Sequence, residues 1–404
     1  MSHQVAVTGL GAIAPHGDEP GAMFEALWRG ESAIRIVFPE LPKPAAAATA
    51  AFDESRWFTK LQLPGVDRVS QLAAAAADLA WRDAGLGAPG DAVEPERVGV
   101  FYGCGMGGAA ALEAAYRGGA RVPPLTIPAF MPNAGAAQIA LRQRVHGPVL
   151  TYSVACASAA VAIAEGAAAV QRGEIDVAIA GGSEALIVPG VVLAWQAMQT
   201  LASFAPDAAA RAVRPFAADR SGFALGEGAA FLILERADRA RARGAPAHAR
   251  LAGWSVGCDA THLTKPDAAG QARALRAALR RADLAPRDIG YCNAHGTATK
   301  VGDVVERDAL AQVFGADLDT LRVSSTKALH GHLLGAAGAL EALITVLALQ
   351  RRALPPNAHC AEPDPACRMN LVHEPGTAAP KLEAALSNSF AFGGTNAVLL
   401  FTRA

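Results

Sequence analysis

Apolar positions along this chain gather into short unbroken runs, and between the runs alanine and leucine recur at helical spacing. QVAVTGLGAI, near the start, reads as a buried strand ending in a glycine turn. Asp18 then caps a helix with Pro20 in its first turn and Met23, Phe24, Leu27 and Trp28 on one face. A long alanine-rich helix is predicted from about Val69 to Ala84. VGVFYG (98–103), GPVLTYSVA (147–155) and IDVAIAGGSE (175–184) follow as strands, and the second of these feeds an apolar helix, VACASAAVAIAEGAAAV (154–170). Uninterrupted apolar strands alternating with helices indicate an α/β protein whose strands are covered on both faces.

The pattern then repeats weakly. FALGEGAAFLILER (223–236) and FAFGGTNAVLLFTR (390–403) each read as a phenylalanine, a small-residue turn and an apolar strand. Between them ARLAGWSV, DIGYCNAHG and LRVSSTK supply strands, with helices at 270–283, 303–314 and 333–350. Two similar α/β halves are therefore predicted, residues 1–245 and 246–404, joined through the helix and connector at 236–249. A length of 404 residues fits that division, since it exceeds one ordinary core.

Composition narrows the classes. The chain is 52% hydrophobic and 18% charged, with a net charge of −1, so no chain-wide basic signature of nucleic-acid binding exists. None of the six cysteines forms a C-x-x-C pair or has zinc-finger spacing, which suits a reducing cytoplasm. No secretory signal is read at the start. The uncharged stretch 185–204 contains Pro189, Gly190, Gln196 and Gln199 and is taken as buried core. The apolar run 333–349 carries Glu341 at its middle, which argues against a membrane span.

Five stretches carry candidate chemistry. VTGLGAIA has the G-x-G-x-x-A form of a dinucleotide loop, but Pro15 and Gly17 separate it from the next helix, so a tight turn is preferred. Cys156 stands at the front of the apolar helix, where free N–H groups would push a thiol toward thiolate and bind an oxyanion. A small buried core residue is the competing reading. His295 ends a buried strand in NAHGTAT, as a catalytic group or as a satisfied histidine in a capped turn. Lys327, His330 and His332 precede the helix holding Glu341, a carboxylate that needs Lys327 or a histidine beside it. NSFAFGGTN is a glycine turn flanked by Phe390 and Phe392. One cysteine, strand-end histidines and a lysine–glutamate pair suggest covalent thioester chemistry.

In VACASA, NAHGTAT, STKALHGHLLGAAGALE and NSFAFGGTN the chain resembles the β-ketoacyl-acyl-carrier-protein synthases, over nearly all its length. It is most similar to the synthase II branch and, through A-C-A-S-A, to its accessory, nodulation-type members. The resemblance implies a thiolase-like fold of two α/β halves in an αβαβα arrangement. It implies that Cys156 takes an acyl group from the phosphopantetheine arm of an acyl carrier protein, with no bound cofactor. His295 and His332 would then hold the enolate formed as malonyl-carrier protein loses carbon dioxide, and the chain would grow by two carbons. Lys327 and Glu341 would be structural and electrostatic, Thr297, Thr299 and Asn388 supporting. Phe392 would share the oxyanion hole in a gating loop with Phe390 and Gly393.

The same resemblance implies a monovalent cation near Asn293, Glu341 and Asn388, and Met106 on the floor of the acyl pocket. Lys60, Arg68, Arg211 and Arg214 are the candidates for carrier docking. A homodimer is implied, or the catalytic half of a heterodimer with a chain-length-factor-like subunit; no nucleic acid or membrane partner is expected. The pathway is either accessory fatty-acid or polyketide synthesis, or housekeeping elongation. A thiolase is disfavoured because Cys360 and Cys367 lie outside the glycine loop. The chain departs from the family pattern at Ala391 and Ala159, both usually glycine, and His330 is read as incidental.

Overall fold

The computed structural model describes residues 3–88, 90–119 and 121–404. Ten strands share one mixed sheet: β1 (Val5–Ile13), β2 (Val98–Gly103), β3 (Val149–Tyr152), β4 (Val177–Glu184), β5 (Gly228–Arg236), β6 (Ala249–Cys258), β7 (Tyr291–Asn293), β8 (Arg322–Ser324), β9 (Ala384–Phe390) and β10 (Thr395–Thr402). Their order is β3-β2-β4-β5-β1-β6-β10-β9-β7-β8. From the centre outward, the first half runs β1-β5-β4-β2-β3 and the second repeats it as β6-β10-β9-β7-β8. Pairing directions repeat too. β2 is parallel to β3 and β4, as β7 is to β8 and β9. β5 is antiparallel to β4 and β1, as β10 is to β9 and β6. The half-sheets meet through three residue pairs only, Val5–Leu251, Ala6–Arg250 and Val7–Ala249.

Five helices cover these half-sheets: α1 (Arg68–Asp83), α2 (Ser158–Arg172), α3 (Ala268–Ala282), α4 (Gly302–Phe314) and α5 (Ala337–Arg351). α2 and α5 pack on each other and on strands of both halves, while α1 covers the outer face of the first half and α3 and α4 that of the second. The result is five layers, αβαβα. Period-2 alternation builds it. In β5, Ala230, Leu232 and Leu234 face the central helices, and Ala229, Phe231 and Ile233 face α1. In β10, Ala397, Leu399 and Phe401 point inward, and Val398 and Leu400 point toward α3. The stretch Leu334–Arg351, long and apolar enough to cross a membrane, is this central core helix with its leading turn.

Several expectations change. The strand at the start does not end in a glycine turn: β1 runs through Gly9 and Gly11. A Cβ on Gly9 would lie 2.2 Å from the Ala80 carbonyl oxygen, and one on Gly11 2.2 Å from that of Ala76. These glycines let α1 lie directly on the sheet, which also removes the dinucleotide reading. The first helix, Pro20–Trp28, is capped by Glu19 and not Asp18. The third strand keeps only Val149–Tyr152 of the longer stretch predicted for it. Residues 185–204 are core only in part: Ala185, Leu186, Val192 and Ala202 are buried, but in the helix Pro189–Ala197 only Val192 is, and Leu193 and Met198 are exposed. The glycine turn NSFAFGGTN begins as strand, since β9 continues to Phe390.

Gly11→Ala is expected to destabilise the fold by about 1–3 kcal/mol through overpacking against α1. Gly257→Ala, where a Cβ meets nothing within 4 Å, is expected to be neutral. Urea unfolding followed by circular dichroism checks the pair.

Candidate active site

The two central helices start in the same way. A 3₁₀ turn leads into each, Ala155–Ala157 before α2 and Leu334–Ala336 before α5. The first residue of each turn is left-handed, Ala155 at φ 50° and Leu334 at φ 46°. Such backbone costs about 1–3 kcal/mol at a non-glycine residue and persists where the surroundings enforce it. Cys156 is the second residue of the first turn, and Gly335 holds the same place in the second. Cys156 opens into a cavity of about 400 Å³ together with His295 and His332. Its Sγ and one ring nitrogen of each histidine lie within 4.8 Å of one another.

Each histidine is fixed by the backbone. His295 follows the end of β7, where Glu306 of α4 accepts from the N–H of His295 (2.9 Å) and of Gly296 (2.7 Å). Lys327 Nζ donates to the His295 carbonyl at 2.6 Å. His332 is held through its N–H to Ala224 (2.7 Å) and its carbonyl to Gly226 N–H (2.8 Å). The Leu334 N–H donates to His332 Nδ1 at 3.3 Å, so the ring proton belongs on Nε2, which has no protein partner. His295 Nδ1 is likewise buried without one. Phe223 and Phe390 stand edge-on to the two imidazoles, which are 5.5 Å apart.

Burial sets the ionisation states. Desolvation, then the Lys327 charge, holds both imidazoles well below the usual histidine range, so they are neutral near pH 7. The expectation of a thiolate-prone Cys156 is reversed. Burial pushes its thiol up to about 12; Lys327 and the Phe392 N–H pull it down, while Glu184 and Glu341 push further up. Lys327 and Glu341 are fully buried and form an ion pair; burial raises Glu341 to about 7 and Lys327 opposes that. Glu341 Oε2 and Asn388 Oδ1 are buried acceptors without partners, and Asn293 Oδ1 receives one long bond from Thr326 (3.4 Å). Oxygen donors of this kind are the ligand type a hard cation takes.

The other sequence candidates divide. Phe390 and Phe392 line the cavity and Gly393 belongs to the turn between β9 and β10, at φ 85°. Ala391 has no positive φ, so alanine is unstrained there in this conformation. Ala159 is accommodated by glycines, since a Cβ on Gly182 would lie 2.8 Å from its methyl. Thr297 and Thr299 line the cavity wall and hydrogen-bond each other at 3.0 Å. Met106 does not line the Cys156 cavity. It is 47% exposed and borders an open apolar groove that shares Trp195 and Met198 with that cavity. Arg68 is committed to buried Glu227 at 2.7 Å and Arg214 to Asp219 at 3.1 Å, which leaves Lys60 and Arg211 exposed. His330 is not loose: its ring bonds Thr326 Oγ1 (2.9 Å) and the Gly331 carbonyl (2.8 Å).

Several buried charged residues near the site were given no role by the sequence reading. Glu306 supports His295. Arg220, 1% exposed, donates to the Thr299 carbonyl (3.0 Å) and the Lys300 carbonyl (2.8 Å) and approaches buried Asp303 at 3.6 Å. Glu184, at the end of β4, accepts from Gly105 (2.8 Å), Met106 (3.3 Å) and Gly335 (2.9 Å) N–H groups, tying the Met106 loop to the turn that follows His332. A lone glutamate closing an otherwise apolar strand was the one available signal.

Comparison with known proteins follows the same outline. Residues 2–240 match the family model "Beta-ketoacyl synthase, N-terminal domain", and residues 248–361 match "Beta-ketoacyl synthase, C-terminal domain". The chain is 40% identical to nodulation protein E of Rhizobium sp. (strain N33), over 99% of each chain. It is 35% identical to 3-oxoacyl-[acyl-carrier-protein] synthase 2 of Staphylococcus aureus (strain N315), covering 100% of this chain and 99% of that one. The solved structure of the ishigamide ketosynthase/chain length factor superposes with a TM-score of 0.90 at 31% identity, covering 100% of both chains.

Alkylation of Cys156 by iodoacetamide is expected to speed up about tenfold per pH unit from pH 7 to 10, because the thiolate fraction climbs that steeply below a pKa of about 12. Intact mass spectrometry reads the rate; a plateau near pH 8 would contradict the buried-thiol electrostatics.

Proposed function

This chain belongs to the β-ketoacyl synthase family, and from that premise we propose how its own residues carry out an acyl-transferring condensation. The observation that carries the assignment is the convergence of Cys156, His295 and His332 on one cavity. Cys156 sulfur attacks the carbonyl of an acyl thioester on a carrier protein's phosphopantetheine; the bond to the carrier sulfur breaks, and the Cys156 proton ends on the departing thiol. The N–H groups of Cys156 and Phe392 stabilise the tetrahedral oxyanion. Because the thiol is protonated at rest, that stabilisation and the nearby Lys327 charge are what make the attack feasible.

A malonyl thioester then enters. Its carbon–carboxylate bond breaks as carbon dioxide leaves, and the neutral imidazoles donate hydrogen bonds to the enolate oxygen, His332 from Nε2. The enolate carbon attacks the acyl-Cys156 carbonyl. A carbon–carbon bond forms, the Cys156 sulfur leaves as thiolate and takes a proton from solvent water, and the acyl chain is two carbons longer. Lys327, held by Glu341, positions His295 through its carbonyl, and its charge adds to burial in keeping the imidazoles uncharged. Glu341, Asn388 and Asn293 would hold a monovalent cation, which would supply positive charge to these buried oxygens.

We read the two halves as residues 1–245 and 246–404, one supplying the nucleophile and the other the histidines. A dimer is supported by the open edge at β3, where Val149 and Leu150 are exposed, and by the groove from Met106 past Trp195. A partner covering that groove would complete an acyl tunnel with Met106 in its wall. Either a second copy or a chain-length-factor-like subunit would serve. Six free cysteines agree with a cytoplasmic setting. Accessory fatty-acid or polyketide synthesis is favoured over housekeeping elongation by the nodulation-protein relatives.

Cys156→Ala is expected to abolish acyl transfer from an acyl-carrier protein. His295→Ala and His332→Ala are expected to leave part of the acylation and to lower condensation with malonyl-carrier protein by about 10²-fold or more. Intact-protein mass spectrometry follows the Cys156 adduct and chromatography follows the elongated product; normal elongation by the Cys156→Ala protein would overturn the mechanism.

A further inference from the structure

The cavity at Cys156 runs from a buried, uncharged end to an exposed, cationic one. Its base is Cys156, His295 and His332, all at least nine-tenths buried. Thr297 and Thr299 stand higher on the wall, and the exposed Lys265 and Lys300 reach its lining from two different loops. Glu306 is the one carboxylate among the described lining residues, and it is buried and occupied by the N–H groups of His295 and Gly296. Three carboxylates near the lysines are engaged elsewhere: Asp364 pairs with Arg220 at 2.7 Å, Asp219 with Arg214 at 3.1 Å, and Asp267 caps α3 through Gly270 at 3.0 Å.

Both lysines sit on fixed backbone. Arg220, buried and hydrogen-bonded to the carbonyls of Thr299 and Lys300, holds the loop that carries Lys300. The Lys300 ammonium donates to the Ala218 carbonyl at 2.8 Å, which orients it without cancelling its charge. On the opposite loop the His262 ring accepts from the N–H groups of Thr264 (3.1 Å) and Lys265 (3.2 Å). Leu263 of the same loop accepts from Gly393 N–H at 2.7 Å, so this loop is tied to the turn bearing Phe392. The Lys265 ammonium makes no hydrogen bond or ion pair among the described residues. A charge oriented in advance, as the Lys300 ammonium is, loses little entropy on meeting a ligand.

We propose that Lys265 and Lys300 form an anion clamp that grips the phosphate of a thioester arm as its acyl end reaches Cys156. This rests on the thioester reading of the cavity and adds to it a phosphate-selective rim. The shared ligand chemistry is a phosphate ester of pantetheine, which is supplied either as a carrier protein's phosphodiester or as the diphosphate of coenzyme A.

The test compares the wild-type chain with Lys265→Ala/Lys300→Ala and, separately, Lys300→Glu. The rate of Cys156 acylation is read by intact mass with four hexanoyl donors: pantetheine, 4′-phosphopantetheine, coenzyme A and carrier protein. The ratio of the phosphopantetheine rate to the phosphate-free pantetheine rate is expected to fall about tenfold or more in the double variant, since a charge-assisted hydrogen bond is worth at least that factor. Lys300→Glu is expected to lower it further. An equal loss with coenzyme A and 4′-phosphopantetheine points to the single phosphate, and a larger loss with coenzyme A points to the diphosphate; both support the clamp. An unchanged ratio, or a loss confined to the carrier-borne donor, overturns it, the latter because the lysines would then be meeting protein surface. Failure of the thioester reading itself would look different: wild-type Cys156 would acquire no adduct from any donor.

Discussion

A lysine and a glutamate, both sealed from solvent, meet near the centre of this protein. Glu341 comes from the second turn of the central helix α5, Lys327 from the short helix Lys327–His330 ahead of it, and the lysine also grips the carbonyl of His295. Three separate pieces of chain are thereby held in one arrangement: the end of β7, the short helix that leads to His332, and α5 itself. Removing either charge alone would strand the other in a dry interior, a loss of about 3–5 kcal/mol. The pair also acts at a distance. After burial itself, the Lys327 charge does most to keep both imidazoles unprotonated, and it is the largest influence opposing the desolvation of the Cys156 thiol.

The duplicated sheet explains why the chemistry is divided as it is. Each half presents one helix to the centre, and these two helices pack closely because their contact is built of small residues. A Cβ on Gly338 of α5 would lie 2.8 Å from Ala160 of α2 and from Ser389. That closeness brings the leading turns of α2 and α5 to the same cavity. One turn offers Cys156; the corresponding place in the other is Gly335, whose N–H instead binds Glu184. Divergence of the repeat has thus left a nucleophile on one side, and on the other a backbone that presents His332. His295 joins them from the end of β7, as sites in open α/β sheets gather at the ends of parallel strands.

Long apolar runs were legible because a strand covered on both faces has no choice of residue type. VGVFYG became β2 without a change of boundary, and the alanine-rich stretch after Val69 became α1 with a shift of one residue. Gly9 and Gly11 misled because a glycine pair in a strand and a glycine turn look alike until the helix lying on it is known. The uncharged 185–204 stretch misled in the opposite direction. Its hydrophobicity was visible, but a sequence does not say whether such a surface is covered by its own chain. Cys156 shows the same limit in electrostatics: its position ahead of a helix argued for a thiolate, while its depth in the fold argues more strongly for a thiol.

The sequence by itself determined the alternation of buried strands and helices, the doubled pattern, and the identity of the cysteine, histidines, lysine and glutamate, since these depend on residue type and local spacing. Tertiary structure alone decided which of them meet and in what state. His332 receives its tautomer from one backbone N–H, His295 its place from Glu306 and Lys327, and Arg68 loses its availability to Glu227. Burial, hydrogen-bond direction and the distance between charges are properties of segments brought together from far along the chain, so they exist only once the two halves have closed on α2 and α5.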